Sequence, residues 1–390
     1  MRATWPFLFV LTFALAIGNI CPCAAQEDQR QLRKIDAIVS AVSKPNDPGF
    51  AVLVKKGPVI FFQKGYGVRE LGKPGKIDPT SNFRLASVTK QFTAMAIMLL
   101  IHDRQLRYED RLTDIWPDFP VYGREITVRH LLNHTSGIRD YSELMEVEEK
   151  ARGPRWTPDR QISDEEVLQL LKAQTSGEFT PGMKWQYSNS GYVVLGSIVA
   201  KVSGMPYEDF LRKRIFVPLK MKNSVVYVTG KNAVKNRAFG HSKEGDLFKK
   251  TDQSATSATL GDGGIYSSVA DLAKWDQGLI NHTLLNEQEI LPAWTPAKMA
   301  DGSPYFWPRA EKEDQQTPPE SVAYGFGWFL DSYKGHDRQA HDGGTMGFRT
   351  TIQRYVNDKL TIIILSNRTD VSPHELGEKI ADVMLRDPKQ

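Results

Sequence analysis

The sequence predicts an α+β protein in which both ends of the chain build one sheet and a mainly helical region is inserted between them. Three observations carry this expectation. β-rich apolar runs stand near the start, at 49–54 and 59–68. Similar runs return near the end, at 324–330, 348–356 and 360–365. The stretch between is dominated by helical periodicity and capping signals.

Taken in order, Leu32, Ile35, Ile38, Val39 and Val42 recur on one side of a helix over 28–43. Strands Gly49–Val54 and Val59–Val68 follow, joined by a turn at Lys55-Lys56-Gly57-Pro58. Residues 87–103 form the most apolar helix, nearly all hydrophobic from Phe92 to Ile101, and belong at the centre of the protein. A short helix Val128–Leu132 ends at His134-Thr135-Ser136-Gly137. The polar stretch 141–160 reads as a mobile surface excursion. Ser163-Asp164-Glu165-Glu166 is a capping box ahead of Val167–Ala173, and Tyr192–Val202 and Tyr207–Ile215 continue the helical region. The Pro-containing stretch 301–320 reads as a long loop. Strands Tyr324–Leu330, Phe348–Val356 and Leu360–Leu365 come next, the last two linked by a turn at Asn357-Asp358-Lys359, and a helix over 373–386 closes the chain.

Composition narrows the function classes. The 390 residues carry 50 Lys+Arg against 46 Asp+Glu, a net +4 with no basic stripe, so no nucleic-acid partner is expected. Hydrophobic residues at 41% and charged residues at 25% are ordinary for a globular chain long enough for a large core and more than one lobe. Met1-Arg2, the apolar run Trp5–Ile17 and the small residues Cys23-Ala24-Ala25 before Gln26 read as a cleaved export signal over 1–25. The run is shorter than the roughly 20 residues of a spanning helix, so no stable membrane span is expected; an uncleaved anchor is the alternative. The domain then covers 26–390, with its sheet lobe from about 26–86 and 320–390, and the protein is secreted or periplasmic. Both cysteines, Cys21 and Cys23, fall in the signal, so the mature chain has no disulfide, thiol nucleophile or cysteine metal site.

Three motifs bear reactive groups. Ser87-Val88-Thr89-Lys90 places Lys90 one helical turn after Ser87, on the same face. A serine hydroxyl needs a base, and an ammonium cannot be one, so Lys90 has to act neutral, a form that burial or nearby positive charge favours. Opening the most buried helix is also a poor place for an unpaired lysine. Read alone, the motif is equally a helix cap followed by a surface lysine. Tyr187-Ser188-Asn189 lies in a loop, where Tyr187 can relay protons and Asn189 can orient Lys90 or a substrate carbonyl. A second match, Tyr355-Val356-Asn357, runs from a strand into a hairpin turn and is structural. In His341-Asp342-Gly343-Gly344 the glycines let backbone amides approach a ligand closely, and a strand edge here can supply an oxyanion donor; a plain turn into the Phe348 strand is the alternative. His130 and His134 are spaced like metal ligands, but no carboxylate motif accompanies them, and a structural role is expected. The Gly-x-Ser-x-Gly elbow and phosphate-binding Gly-rich loops are absent.

In this order the three motifs resemble those of the serine β-lactamase and penicillin-binding-protein superfamily. The likeness is to its branch of class C β-lactamases, D-alanyl-D-alanine carboxypeptidases, D-aminopeptidases and esterases. FRLASVTKQ at 83–91, LLNHTSG at 131–137, PGMKWQYSNSG at 181–191, GDGGIYSSVADLAKW at 261–275 and YGFGW at 324–328 extend it over nearly all of the expected mature chain. The resemblance implies an α/β/α sandwich, with an antiparallel sheet flanked by helices, a helical lobe, and the site between them. It also implies an acyl-enzyme on Ser87, proton transfers shared by Lys90 and Tyr187, hydrogen bonds from Asn189, and an oxyanion hole from the Ser87 and Gly344 amides. His341 stands where many β-lactamases carry lysine. A neutral histidine is a weaker anchor for a substrate carboxylate, which points to peptides, amides or esters over penicillins. Arg349 either supplies that charge or, as preferred here, pairs on the sheet surface.

The reading is an exported serine hydrolase acting on a small-molecule or peptide substrate, with no metal or organic cofactor. The competing readings are a β-lactamase or D-alanyl-D-alanine carboxypeptidase on the same residues, and a penicillin-binding or sensor protein with little turnover. Oligomeric state is left open.

Overall fold

The first six residues of the strand Phe50–Lys56 are buried, which requires apolar side chains on both faces of the sheet, as the run FAVLV supplies. The computed structural model containing it describes residues 22–305, 307–308 and 321–385. Phe50–Lys56 pairs on one side with Val59–Tyr66 and on the other with Leu360–Ser366, so the two ends of the chain meet edge to edge as predicted. The eight-stranded sheet runs in the order Val59–Tyr66, Phe50–Lys56, Leu360–Ser366, Phe348–Tyr355, His336–Thr345, Phe329–Tyr333, Ser321–Tyr324 and Trp307–Pro308, every pair antiparallel.

Strand alternation feeds two cores. Phe50, Val52, Val54, Ile362 and Ile364 face one layer, where Ile35 and Val39 of the helix Pro22–Ser40 meet Leu376 and Ile380 of the helix Pro373–Met384. Ala51, Leu53, Ile363 and Leu365 face the other and larger core, which takes in the helix Lys90–His102 and most of the helical region. The result is an α/β/α sandwich with a helical lobe, the architecture expected. Every residue from Lys90 to Leu100 is buried, so this helix is central, as its composition predicted.

Four details differ from the sequence-based expectation. The first helix begins at Pro22, within the expected signal; residues 1–21 lie outside those described, as do 306, 309–320 and 386–390. The stretch 141–160 is no excursion at its start: Tyr141–Arg152 is a helix that buries Tyr141, Leu144 and Met145. That three-residue stripe is hidden in sequence among Glu, Lys and Arg. The expected strand Tyr324–Leu330 is broken, because Gly327 turns at φ 76° and packs its backbone on the central helix; a Cβ there would lie 2.8 Å from the Gln91 amide nitrogen. Finally, His341–Gly344 belong to the strand His336–Thr345, and the turn falls later, at Met346-Gly347.

One ionic knot fastens the sheet to a helix of the larger core. Asp276, fully buried on the helix Val269–Ile280, accepts from Lys55 Nζ (2.6 Å), Arg354 Nε (2.8 Å) and Thr361 Oγ1 (3.1 Å), groups on three neighbouring strands. Asp276→Ala leaves two buried cations without their shared partner. It is expected to lower unfolding stability by about 3–5 kcal/mol, seen as a lower urea midpoint at unchanged slope.

Candidate active site

The serine precedes the central helix on a short 3-10 turn, Ala86–Thr89, and the helix proper starts at Lys90. The turn is held on both sides: the Leu85 amide donates to the Ile265 carbonyl (2.8 Å), and Thr350 Oγ1 donates to the Leu85 carbonyl (2.8 Å). Ala86 adopts φ 49°, an uncommon conformation for a residue with a Cβ, immediately before Ser87.

Lys90 has no exposed surface. Its Nζ contacts Ser87 Oγ at 3.1 Å, Asn189 Oδ1 at 2.8 Å and the Asp262 carbonyl at 3.1 Å. An ammonium satisfies three such acceptors with three hydrogens. A neutral amine has two hydrogens and a lone pair. Asn189 Oδ1 and the Asp262 carbonyl can only accept, so they take both hydrogens and the lone pair points at the Ser87 hydroxyl. The contact set therefore suits either protonation state of the amine. Nζ also stands over the Tyr187 ring, 4.9 Å from its centroid. Tyr187 is brought to the site, yet among the described residues no hydrogen bond joins its hydroxyl to Ser87 or Lys90.

Ser87, Tyr187, Asn189 and Gly344 all line one cavity of about 300 Å³, together with Arg84, Ala86, Tyr141, Thr256, Thr259, Asp262, Gly263 and Thr345. Gly344 reaches it because the strand Phe329–Tyr333 pairs only as far as Ala340, leaving residues 341–345 without a strand partner on that side among the described residues. Gly343 points the other way; a Cβ there would lie 2.1 Å from the Leu85 carbonyl oxygen, so glycine lets the strand abut the serine turn. His341 lies behind the wall and is not among the lining residues. Its Nδ1 bonds the Asp342 carbonyl (2.7 Å), which places the hydrogen there and leaves Nε2 to accept from the Tyr324 hydroxyl (3.1 Å). Burial, and then the Lys90 charge, push its pKa down to about 4. Arg349 donates to the Thr345 and Phe348 carbonyls across the turn and stays out of the cavity.

The sequence model of the β-lactamase family matches residues 35–384. The chain belongs to the β-lactamase family. A penicillin-binding protein of Bacillus subtilis (strain 168) is 29% identical over 360 residues, 89% of this chain and 74% of that protein. A D-aminopeptidase of Brucella canis is 26% identical over 345 residues, 86% of this chain but only 60% of that protein. Among solved structures, the D-amino acid amidase of Ochrobactrum anthropi SV3 superposes with a TM-score of 0.73 at 21% identity, covering 92% of this chain and 98% of that one. The octameric penicillin-binding protein homologue of Pyrococcus abyssi gives 0.71 at 24% identity, covering 94% and 78%. These last two likenesses are of fold.

The β-lactamase-family fold also brings in residues outside the three reactive motifs, among them His134, for which a structural role was expected. Two groups from the 134–140 segment hold the Tyr187–Asn189 loop. His134 Nδ1 accepts from the Ser188 amide (3.2 Å), and Asp140 Oδ2 accepts from the Asn189 amide (2.7 Å). The His134 ring lies 4.3 Å from the Tyr187 ring, and His134 itself sits at φ 61°. Burial, Lys90 and His341 keep it well below the usual histidine pKa, so it accepts as a neutral ring. Among the described residues it joins no group of side chains able to hold a metal ion. Asp140 is also the N-cap of Tyr141–Arg152, its side chain accepting from the Ser142 amide. Away from the cavity lining, Asp164 Oδ1 accepts from the Leu260 amide (3.0 Å), and desolvation followed by the nearby Asp262 carboxylate raises its pKa to about 8.

Behind the third motif, His374 contacts Asp342 (3.0 Å) and Glu378 (3.0 Å). Burial opposes its charge, but these hydrogen bonds outweigh it and raise the pKa to about 9.

Two outcomes follow from this geometry. Asp140→Ala frees the amide that fixes Asn189, and is expected to lower kcat by roughly 10- to 100-fold with little change in KM, measured on a soluble ester substrate. The two histidines give stability a pH dependence of opposite sign. His341 binds its proton more weakly folded than unfolded, so stability is full above about pH 6.5 and falls as pH drops toward 4. His374 binds more strongly folded, so its contribution is full below about pH 6.5 and is lost as pH rises through 9. Unfolding titrations should show both limbs, with His341→Gln flattening the acid limb and His374→Gln the alkaline one.

Proposed function

We propose that the protein is an exported serine hydrolase that cleaves a peptide, amide or ester bond through an acyl-enzyme on Ser87. The observation that carries this reading is the shared contact of Lys90 Nζ with Ser87 Oγ and two obligate acceptors. Neutral Lys90 takes the hydroxyl proton as Ser87 Oγ bonds to the substrate carbonyl carbon. The oxygen of the tetrahedral adduct takes up negative charge, and the Ser87 and Gly344 amides are the donors assigned to it. As the adduct collapses, the scissile bond breaks and its nitrogen or oxygen receives the proton, passed from Lys90 with Tyr187 as relay. Water then attacks the acyl-enzyme by the same proton path in reverse, releasing the acid and restoring Ser87.

The bond class follows from the third motif. His341 is buried and near pH 7 uncharged, so the strand offers no cation to a substrate carboxylate where many β-lactamases have lysine. This favours peptides, amides and esters over penicillins. Export rests on the apolar N-terminal run and its small-residue end; among the described residues no helix is long and apolar enough to cross a membrane.

Ser87→Ala should lower turnover of a short-chain nitrophenyl ester by at least ~10³-fold and abolish covalent labelling by a fluorophosphonate. Labelling of Ser87→Ala at full stoichiometry places the nucleophile elsewhere. The wild type should cleave the ester faster than a chromogenic cephalosporin. Rapid cephalosporin turnover with no ester cleavage identifies a β-lactamase, and a stable, unreleased penicillin adduct in the intact mass identifies a binding protein.

A further inference from the structure

The strand His336–Thr345 loses a neighbour just where it reaches the cavity. Its pairing with Phe329–Tyr333 ends at Ala340, and beyond that point its strand pairing among the described residues is with Phe348–Tyr355 alone. Gly344, the assigned oxyanion donor, lies on this half-paired end. Asp342 stands two residues past the break, and its carboxylate is held from two sides. Thr351 Oγ1 of the paired strand donates to Oδ1 (2.6 Å), and His374 Nδ1 of the closing helix Pro373–Met384 meets Oδ2 at 3.0 Å. The other ring nitrogen of His374, Nε2, meets Glu378 Oε1 at 3.0 Å. Glu378 Oε1 also accepts from Arg338 Nη1 (2.9 Å), and Arg338 Nε and Nη2 donate to the two oxygens of Asp331 (2.8 and 2.7 Å). This chain of contacts runs from the strand that stops, through the helix, to the strand end left half-paired.

An ionised carboxylate only accepts. A ring with a carboxylate oxygen at each nitrogen fills both contacts only with a hydrogen on each, which is the imidazolium form. The charged groups facing His374 are Asp342 from the strand, Glu378 from its own helix and Arg338 from the strand. Asp331 offsets Arg338, which leaves two carboxylates for the ring. His341, next to Asp342, is uncharged near neutral pH and above. The contacts hold the proton on His374 up to about pH 9. Once neutral, the ring has one hydrogen and must release one carboxylate. Asp342 keeps 52% of its side-chain surface in solvent, so the contact is screened and its effect is moderate.

We propose that His374 is a positioning residue for the oxyanion strand: bridging Asp342 and Glu378 with both ring nitrogens, it ties the half-paired end of His336–Thr345 to the closing helix and fixes Gly344 against Ser87. The helix thereby takes over where the neighbouring strand stops. The proposal rests on acylation at Ser87 and adds a support for its oxyanion site from outside the cavity.

The test measures kcat and KM on nitrophenyl acetate from pH 7 to 10 for the wild type, His374→Gln, Asp342→Asn and the double variant. Each single variant should lower kcat ~5-fold at pH 7 with KM unchanged, because the oxyanion forms only after substrate binds. The double variant should lose no more than either single one, since both act through one contact. The ratio of wild-type to His374→Gln kcat should fall toward one as pH rises through about 9, where the wild-type ring also becomes uncharged. That ratio cancels the titration of the reacting groups, and a merely structural role does not move it. Unchanged kcat at pH 7 or a ratio constant with pH overturns the proposal. Should His374→Gln not fold, Asp342→Asn, which leaves the ring and helix in place, decides by the same ratio. In wild-type protein with labelled histidine, nitrogen NMR should show one ring still doubly protonated at pH 8, and none so protonated overturns the bridge. Fluorophosphonate separates the two levels: no label on wild-type Ser87 removes the acylation reading, whereas labelling at the same rate in His374→Gln removes only the positioning role.

Discussion

A lysine amine with no exposed surface lies between a serine hydroxyl, an asparagine carbonyl and a backbone carbonyl, and the surrounding structure is arranged around that contact. Three segments far apart in sequence supply its neighbours: the serine turn, the start of the helix Asn189–Ser203, and the 257–264 segment that carries Asp262. An amine buried in this way is costly unless every hydrogen finds an acceptor. Here the acceptors number three, enough for the charged form. Two of them cannot donate, which directs the lone pair of the neutral form to the serine. The same geometry that makes the burial tolerable sets the amine against the serine hydroxyl.

Local strain accompanies this arrangement. Ala86 and His134 both carry a Cβ at positive φ, a conformation costing on the order of 1–3 kcal/mol at each position. Ala86 aims the residue after it into the cavity. His134 turns the chain so that its own carbonyl accepts from the Gln186 amide (2.9 Å) while its ring accepts from the Ser188 amide. With Asp140 beyond it, the 134–140 segment grips the 186–189 stretch at three amides, those of Gln186, Ser188 and Asn189. The loop is irregular, and without these acceptors its amides would have no fixed partners.

Charge is distributed unevenly over the walls. The strand His336–Thr345 presents glycine backbone toward the cavity and keeps His341 behind it, neutral and fixed by Tyr324. Arg84 and Asp262, both nearly fully buried, line other parts of the cavity.

Much of this was readable in the chain. Period-2 and 3.6-residue patterns placed the sheet at both termini and the apolar helix at the centre, because each element must turn apolar residues toward a core whatever its partners are. The spacings Ser-x-x-Lys and Tyr-x-Asn named Ser87, Lys90, Tyr187 and Asn189, because local spacing is enough to put Ser87 and Lys90 on one face. Tyr141–Arg152 escaped notice since its three buried residues are too few to stand out among charges. Arg84, His134 and Asp262 fall within stretches that carried the resemblance, yet their contacts were not legible there, and Asp140 was not marked at all. Their roles are set by which backbone amides, carbonyls and empty space lie within about 3 Å, the reach of a hydrogen bond, and neighbours tens to hundreds of residues away in sequence meet only when the chain is folded.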